Sequence, residues 1–66
     1  MQNNSEPQAI IDYLNEKIKK DERRKDFWEE NYQQHMAEHY HTMAVNRIAA
    51  FKEVLEFINE NFNDND

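Results

Sequence analysis

Two histidines and a glutamate at helical spacing are the side chains of this sequence best suited to chemistry. His35, Glu38 and His39 form the pattern H-x-x-E-H. If residues 35–39 are helical, the two histidines lie on one face and can reach the same zinc ion, with the glutamate beside it as a base. A metalloprotease also needs a third ligand, a substrate cleft and a much larger body. We therefore predict no enzyme and no cofactor, with His35 and His39 as candidate metal ligands.

Aromatic side chains surround these histidines in the sequence. Aromatic residues anchor both protein cores and recognition surfaces. At helical spacing this group fits a core or a dimer seam, and it also fits a surface that binds another protein. The predicted partner-binding set consists of Phe27, Trp28, Tyr32, Met36, His39 and Tyr40.

The composition excludes several classes of protein. The chain has 66 residues, a net charge of −6, one proline, and neither glycine nor cysteine. Phosphate-binding loops need glycine at positions of positive φ, so a nucleotide-binding enzyme is excluded. Disulfides are excluded as well. The sequence shows no signal peptide and no apolar window of about 18 residues, and we therefore expect a cytoplasmic protein without a membrane span.

Charge is distributed unevenly along the chain. Six of the eight basic residues lie between residues 17 and 25, together with two acidic residues, whereas the stretches before and after are acidic. A basic cluster attracts phosphate, but an acidic body repels the same polyanion at short range. We therefore expect no direct binding of nucleic acid. The cluster is interpreted as a solvated segment whose bases offset acids elsewhere.

Helix is the structure that this composition favours throughout. The chain lacks glycine, has its one proline at position 7, and is rich in good helix formers. Apolar residues then recur at helical spacing, and they predict helix one at about residues 6–20. We expect one small helical domain over residues 1–66, with frayed ends at 1–4 and 63–66.

The connection after helix one is less clearly marked. No apolar residue occurs between Ile18 and Phe27, which predicts a chain reversal there; an unbroken helix is the alternative, because the stretch contains no breaker. From Phe27 onward no loop signal appears, and we predict a long helix two at about residues 26–62. Its apolar stripe swings around the helix near position 42, which indicates that helix two bends, wraps around a neighbour or contacts two neighbours. Three short helices with a break near 42 are the other arrangement.

The second half of helix two carries the pattern of a helix pair. Apolar residues recur there at a 4-3-4-3-4 spacing, which is the seam of a left-handed pair of helices. Helix one offers too few large apolar residues to cover this stripe, so we predict a homodimer that packs as a helical bundle or coiled coil. The predicted self-association residues are Ala44, Ile48, Phe51, Leu55, Ile58 and Phe62.

Function is predicted at the level of a class. The sequence shows no arrangement of catalytic residues, and its apolar stripes exceed what one chain can bury. These two features predict a small acidic module that binds another protein through a helical surface, as a regulator, inhibitor or adaptor. The alternative is an inhibitor that mimics nucleic acid and places carboxylates in a basic groove. A purely structural homo-oligomer is the third possibility. The carboxylates of the mimic would be Glu29, Glu30, Glu38, Glu53, Glu56 and Glu60.

Overall fold

The computed structural model describes residues 5–62, and these form a hairpin of two α-helices. Helix α1 spans Ser5–Glu30 and helix α2 spans Ala37–Phe62, with a turn over residues 31–36 between them. The two helices pack against each other. The predictions of an all-α class and a helical hairpin are therefore confirmed. Neither helix has an apolar stretch long enough to cross a membrane.

Helix α1 continues through residues 19–26, which contain no apolar residue, because the buried carboxylate of Asp21 lies on its inner face there. Asp21 is only 1% exposed and follows Leu14 and Ile18 on the inner face of α1. Arg24 Nη1 donates a hydrogen bond to Asp21 Oδ1 at 2.9 Å. From α2, Arg47 Nε donates to the same oxygen at 3.1 Å. Asp21 thus replaces an apolar residue in the contact between the helices, because two guanidinium groups compensate its charge.

The chain reverses its direction without glycine. The Asn31 side chain donates from Nδ2 to the carbonyl oxygen of Phe27 at 2.7 Å, and the backbone N–H of Asn31 donates to the same oxygen at 2.9 Å. Met36, directly before α2, has a φ of 63°, in the left-handed region. A residue with a Cβ atom costs on the order of 1 kcal/mol there. The turn therefore depends on an asparagine side chain and one strained residue.

The inner face of α2 lies against α1. Its buried residues are Ala37, Ala44, Ile48 and Ile58, and half-buried His41, Phe51 and Leu55 continue the same spacing. On α1 the facing side chains include Leu14 and Ile18. The small Ala37 and Ala44 lie in the half of this face nearer the turn, where they let the two helices approach closely, and the larger Ile48 and Ile58 lie in the half farther from it.

The predicted reversal after helix one is wrong. The sequence predicts an end of helix one near residue 20 and a start of helix two near residue 26, whereas α1 continues to Glu30. The physical reason is that Asp21, although polar, is bonded to both helices and fills the inner face where an apolar residue was expected. The alternative of an unbroken helix through this stretch is the correct one.

The predicted long helix two and the alternative of three short helices with a break near residue 42 are both wrong. Thr42 lies inside α2, so the structure has no break there, and the long helix of residues 26–62 is divided by the turn instead. The swing of the apolar stripe assumes one continuous helix over residues 26–62, and the turn at residues 31–36 removes that premise. The predicted frayed ends, 1–4 and 63–66, lie outside the described residues.

Removing the carboxylate of Asp21 should destabilise the hairpin. We expect Asp21→Ala to lower the free energy of unfolding by about 1.5–3 kcal/mol, the usual contribution of hydrogen bonds to charged groups. Asp12→Ala is the matched control, because Asp12 is exposed on the same helix and the two substitutions gain the same helix propensity. Urea unfolding followed by circular dichroism measures both. Equal unfolding free energies for the two variants would contradict the assignment.

Candidate functional site

Each helix carries a second stripe directly beside its buried stripe. Both second stripes have a 3-4-3-4-3 spacing, and residues three and four apart share one helix face. The stripe on α1 consists of Ile10, Tyr13, Lys17, Lys20, Arg24 and Phe27. The stripe on α2 consists of Tyr40, Met43, Arg47, Ala50, Val54 and Phe57.

Contacts between the helices place both stripes on the same side of the hairpin. Near the turn, the Trp28 ring of α1 stacks on the Tyr40 ring of α2, with centroids 5.1 Å apart. In the middle, Arg24 and Arg47 meet at one buried carboxylate oxygen. At the far end, Ile10 lines a shallow pocket together with a buried residue of α2. Each stripe residue precedes a residue of the inner face by one position. Because the two helices are antiparallel, these positions lie on the same side of the hairpin in both helices.

We call the surface formed by the two stripes the apolar–basic face. Among the described residues, seven of the ten exposed large apolar side chains lie on it. On α1 these are Ile10, Tyr13 and Phe27; on α2 they are Tyr40, Met43, Val54 and Phe57. The other three are Tyr32 and Met36 in the turn and Val45 on α2. Exposed apolar side chains scattered singly need no explanation, whereas a contiguous group marks an interaction site.

Basic residues occupy the middle of the apolar–basic face. Lys17, Lys20, Arg24 and Arg47 separate the apolar residues near the turn from those at the far end, and neither stripe contains an acidic residue. The Arg24 and Arg47 side chains stay 56% and 40% exposed although each donates to Asp21. A guanidinium group has five N–H donors, so both arginines keep donors for a ligand.

A depression lies beside the basic residues of this face. It measures about 270 Å³ and is lined by Lys20, Arg23, Arg24, Phe27 and Trp28. Cationic side chains next to aromatic rings suit a carboxylate or a phosphate that approaches beside an apolar group. Sequence reasoning missed this site, because it treated the basic cluster as a solvated segment. The signal was the helical spacing that joins Lys20 and Arg24 to Phe27.

The opposite side of the hairpin is acidic. We call it the acidic face; its carboxylates are Asp12, Glu22, Asp26 and Glu29 on α1, and Glu38 and Glu56 on α2. Lys19 and Lys52 are the basic residues at these positions, and Val45 is an exposed apolar residue there. The hairpin thus presents two chemically different faces, one apolar with a basic middle and one rich in carboxylates.

Four of the six residues in the predicted partner-binding set form one ring cluster near the turn. The Phe27 and Trp28 rings meet edge to face at 4.9 Å, and Trp28 stacks on Tyr40. The His39 ring lies 5.4 Å from the Tyr40 ring. The remaining two residues of the set lie exposed in the turn. The structure therefore brings the cluster together on or beside the apolar–basic face, and its role in binding stays a prediction.

A charged cluster joins the two helices next to the turn, on the acidic face. His41 Nε2 lies 3.0 Å from Glu29 Oε2, and Lys25 Nζ donates to the same carboxylate oxygen at 3.2 Å. The hydrogen bond from His41, and then that from Lys25, lowers the pKa of Glu29 below its ordinary value. The bonds to Glu29 and Asp26 raise the pKa of Lys25.

The candidate metal ligands do not share a helix face. His35 lies in the turn and His39 lies in α2, so the premise of two histidines on one helical turn is wrong. The chain reverses where the pattern H-x-x-E-H begins, which removes the helical spacing on which the pattern depends. Within residues 5–62, no three His, Asp or Glu side chains come together in a group that could hold a metal ion.

Most of the predicted self-association residues lie in the contact between α1 and α2. Ala44, Ile48 and Ile58 are buried there, and Phe51 and Leu55 are half-buried. Phe62 is the last residue of α2, and its side chain lies outside the described part. Within one chain these positions already have a partner in α1. A role in self-association stays a prediction.

Comparison of the chain with protein-family models, with curated proteins and with solved structures finds no match in any of the three.

The charged cluster near the turn should respond to acid. A carboxyl group with a lowered pKa stabilises the fold above its unfolded pKa, and this contribution is lost as the pH falls through the folded pKa. Glu29 should therefore stabilise the contact between the helices at neutral pH and begin to lose this contribution as the pH falls below about 4.5, its ordinary pKa, with the loss complete below its lowered pKa in the folded chain. Carbon-detected NMR titration of the Glu29 carboxyl group measures this pKa directly. We expect the pKa of Glu29 to rise in His41→Ala, and an unchanged value would contradict the bond.

Proposed function

We propose that this chain is a small acidic binding module that docks another protein on its apolar–basic face and acts as a regulator, an inhibitor or an adaptor. The observation that carries this proposal is the gathering of seven exposed large apolar side chains on one side of the hairpin. Aromatic side chains dominate the energetics of protein interfaces. Four of the seven are aromatic: Tyr13, Phe27, Tyr40 and Phe57.

The two-helix architecture supports the same proposal. A hairpin buries one face of each helix, and a second apolar stripe on each helix stays exposed until a further element covers it. Both second stripes of this chain lie on one side, so a single additional helix in the groove between α1 and α2 covers both. Such a helix would complete a three-helix bundle.

A homodimer is a competing use of the apolar–basic face. In a two-fold dimer with its axis through the middle of this face, Lys17, Lys20, Arg24 and Arg47 would meet the same residues of the second copy. Like charges at close range oppose association. We therefore favour a different protein as the occupant, and homodimerisation is an outcome that the experiment below distinguishes.

The acidic face supports a second candidate function, the mimicry of nucleic acid. Three of the six carboxylates predicted for the mimic, Glu29, Glu38 and Glu56, lie on this face, whereas Glu30, Glu53 and Glu60 are exposed one position further round their helices. Together with Asp12, Glu22 and Asp26, the three on the acidic face resemble a row of phosphates, although Lys19 and Lys52 interrupt them. Binding through this face should weaken steeply between about 50 and 500 mM salt, whereas docking through apolar contacts should barely respond. The salt dependence of partner binding separates the two functions.

Photo-crosslinking from each face in turn tests the proposed function. A benzoylphenylalanine at position 57 lies on the apolar–basic face, and one at position 45 lies on the acidic face. In cells that produce the chain naturally, we expect position 57 to give a discrete adduct with another protein and position 45 to give none. An adduct with the mass of two copies would support the structural homo-oligomer instead. Adducts from position 45 alone would favour the mimic and contradict the proposal.

Two matched valines test the binding energy. Val54 on the apolar–basic face and Val45 on the acidic face are 45% and 39% exposed on the same helix. We expect Val54→Ser to weaken binding of the crosslinked protein about tenfold, which corresponds to roughly 1.4 kcal/mol, and Val45→Ser to leave it unchanged. Phe57→Ser should weaken it further, because aromatic anchors contribute more. Isothermal titration with the identified protein measures all three. Equal losses at both valines would contradict a single docking face.

A further inference from the structure

We propose that the occupant of the apolar–basic face is an amphipathic helix of the partner protein with carboxylates at its middle and apolar side chains toward both ends. This inference rests on the proposed function and names the chemistry of its partner. The face has the complementary order along its length. Apolar side chains lie at both ends, and between them lie Lys17, Lys20, Arg24 and Arg47.

The basic middle is positioned before any ligand arrives. The Asp21 carboxylate accepts hydrogen bonds from Arg24 and Arg47 through one oxygen, so each guanidinium group is held by a side chain that is itself buried. Two guanidinium groups and one carboxylate leave a net positive charge at this point of the face. Arginine binds carboxylates through paired hydrogen bonds, and fixing it in advance reduces the entropic cost of binding.

A depression on α1 beside Arg24 provides a position for the carboxylate of the docked helix. It is lined by Lys20, Arg23 and Arg24 on its basic side and by Phe27 and Trp28 on its aromatic side. A glutamate or aspartate side chain of a docked helix could enter it while neighbouring apolar residues of that helix cover the rings. The chemistry that fits is therefore an acidic residue next to an apolar one.

The length of the face defines the size of the occupant. From Ile10 to Phe27 the stripe on α1 covers roughly 26 Å, at 1.5 Å per residue. A helix of about 18 residues matches this length, with its carboxylates near its middle turns. A second copy of this chain would present lysines and arginines at the same place. A nucleic acid would meet the basic middle but would be repelled by the net charge of −6 and would leave the apolar ends uncovered.

A peptide library displayed against the full chain tests this inference. Each member is a helical peptide of about 18 residues, with apolar residues fixed toward both ends of one face and the central positions of that face randomised. We expect selection to enrich aspartate and glutamate at the central positions about tenfold over lysine and arginine, as a charge-assisted hydrogen bond would produce.

Matched variants then assign the preference to the basic middle. The selected acidic peptide and the same peptide with glutamine at its centre are titrated against the unmodified chain, Lys20→Gln and Lys19→Gln. Lys20 lies on the apolar–basic face, and the neighbouring Lys19 lies on the acidic face. We expect Lys20→Gln to weaken the acidic peptide several-fold and to leave the glutamine peptide unchanged. Lys19→Gln should change neither by a comparable amount, and Arg24→Gln should reproduce the effect of Lys20→Gln.

The outcomes separate this inference from the proposed function. One outcome is that peptides with neutral or basic centres bind as well as acidic ones, and that this binding is lost in Phe57→Ser but kept in Val45→Ser. It would overturn the proposal of an acidic helix and leave the proposed docking face in place. If no selected peptide shows that dependence on Phe57, both proposals fail. Sedimentation that shows a dimer through this face, or tighter binding of an RNA or DNA oligonucleotide than of any peptide, would also overturn the inference.

Discussion

A single buried carboxylate determines how the two helices of this chain meet. Asp21 lies in the contact between α1 and α2 and accepts hydrogen bonds from Arg24 on its own helix and Arg47 on the other. A buried charge is costly unless its hydrogen bonds are satisfied, so the register that brings Arg47 to Asp21 is favoured over registers that leave the carboxylate with Arg24 alone. The carboxylate thus contributes specificity to a seam of alanine and aliphatic residues that packs with little directional preference.

The register set by Asp21 also determines what the surface presents. The antiparallel packing places the second stripes of both helices on one side of the hairpin and the six carboxylates of the acidic face on the other, and the register with Arg47 at Asp21 aligns the two stripes along their length. A different alignment of the helices would displace the apolar side chains at both ends of the face relative to one another. The same interaction therefore stabilises the fold, positions two arginines for a ligand, and creates one contiguous surface from two separate stripes.

The sequence predicts the helical class, the hairpin and the spacing of the inner face of α2, because these follow from local propensity and periodicity. It does not predict the place of the reversal, since Asp21 looks like a surface residue until its partner Arg47 is known. The sequence does not indicate the turn either, because turns with a left-handed residue usually contain glycine. Here Met36 adopts the left-handed conformation, and the Asn31 side chain bonds to the carbonyl oxygen of Phe27. Four of the six residues in the predicted partner-binding set meet in the ring cluster, whereas Tyr32 and Met36 lie apart from it in the turn. The basic middle of the apolar–basic face could not be predicted, because it depends on how the two helices pair.

The most direct measurement of the central claim is a set of isotope-filtered NOE spectra on a mixture of labelled and unlabelled chains, which separates contacts within one chain from contacts between chains. The account predicts intramolecular NOEs between the Trp28 and Tyr40 rings near the turn, and between Ile10 and Ile58 at the far end. Contacts found only between different chains, or contacts that pair the helices in another register, would contradict it.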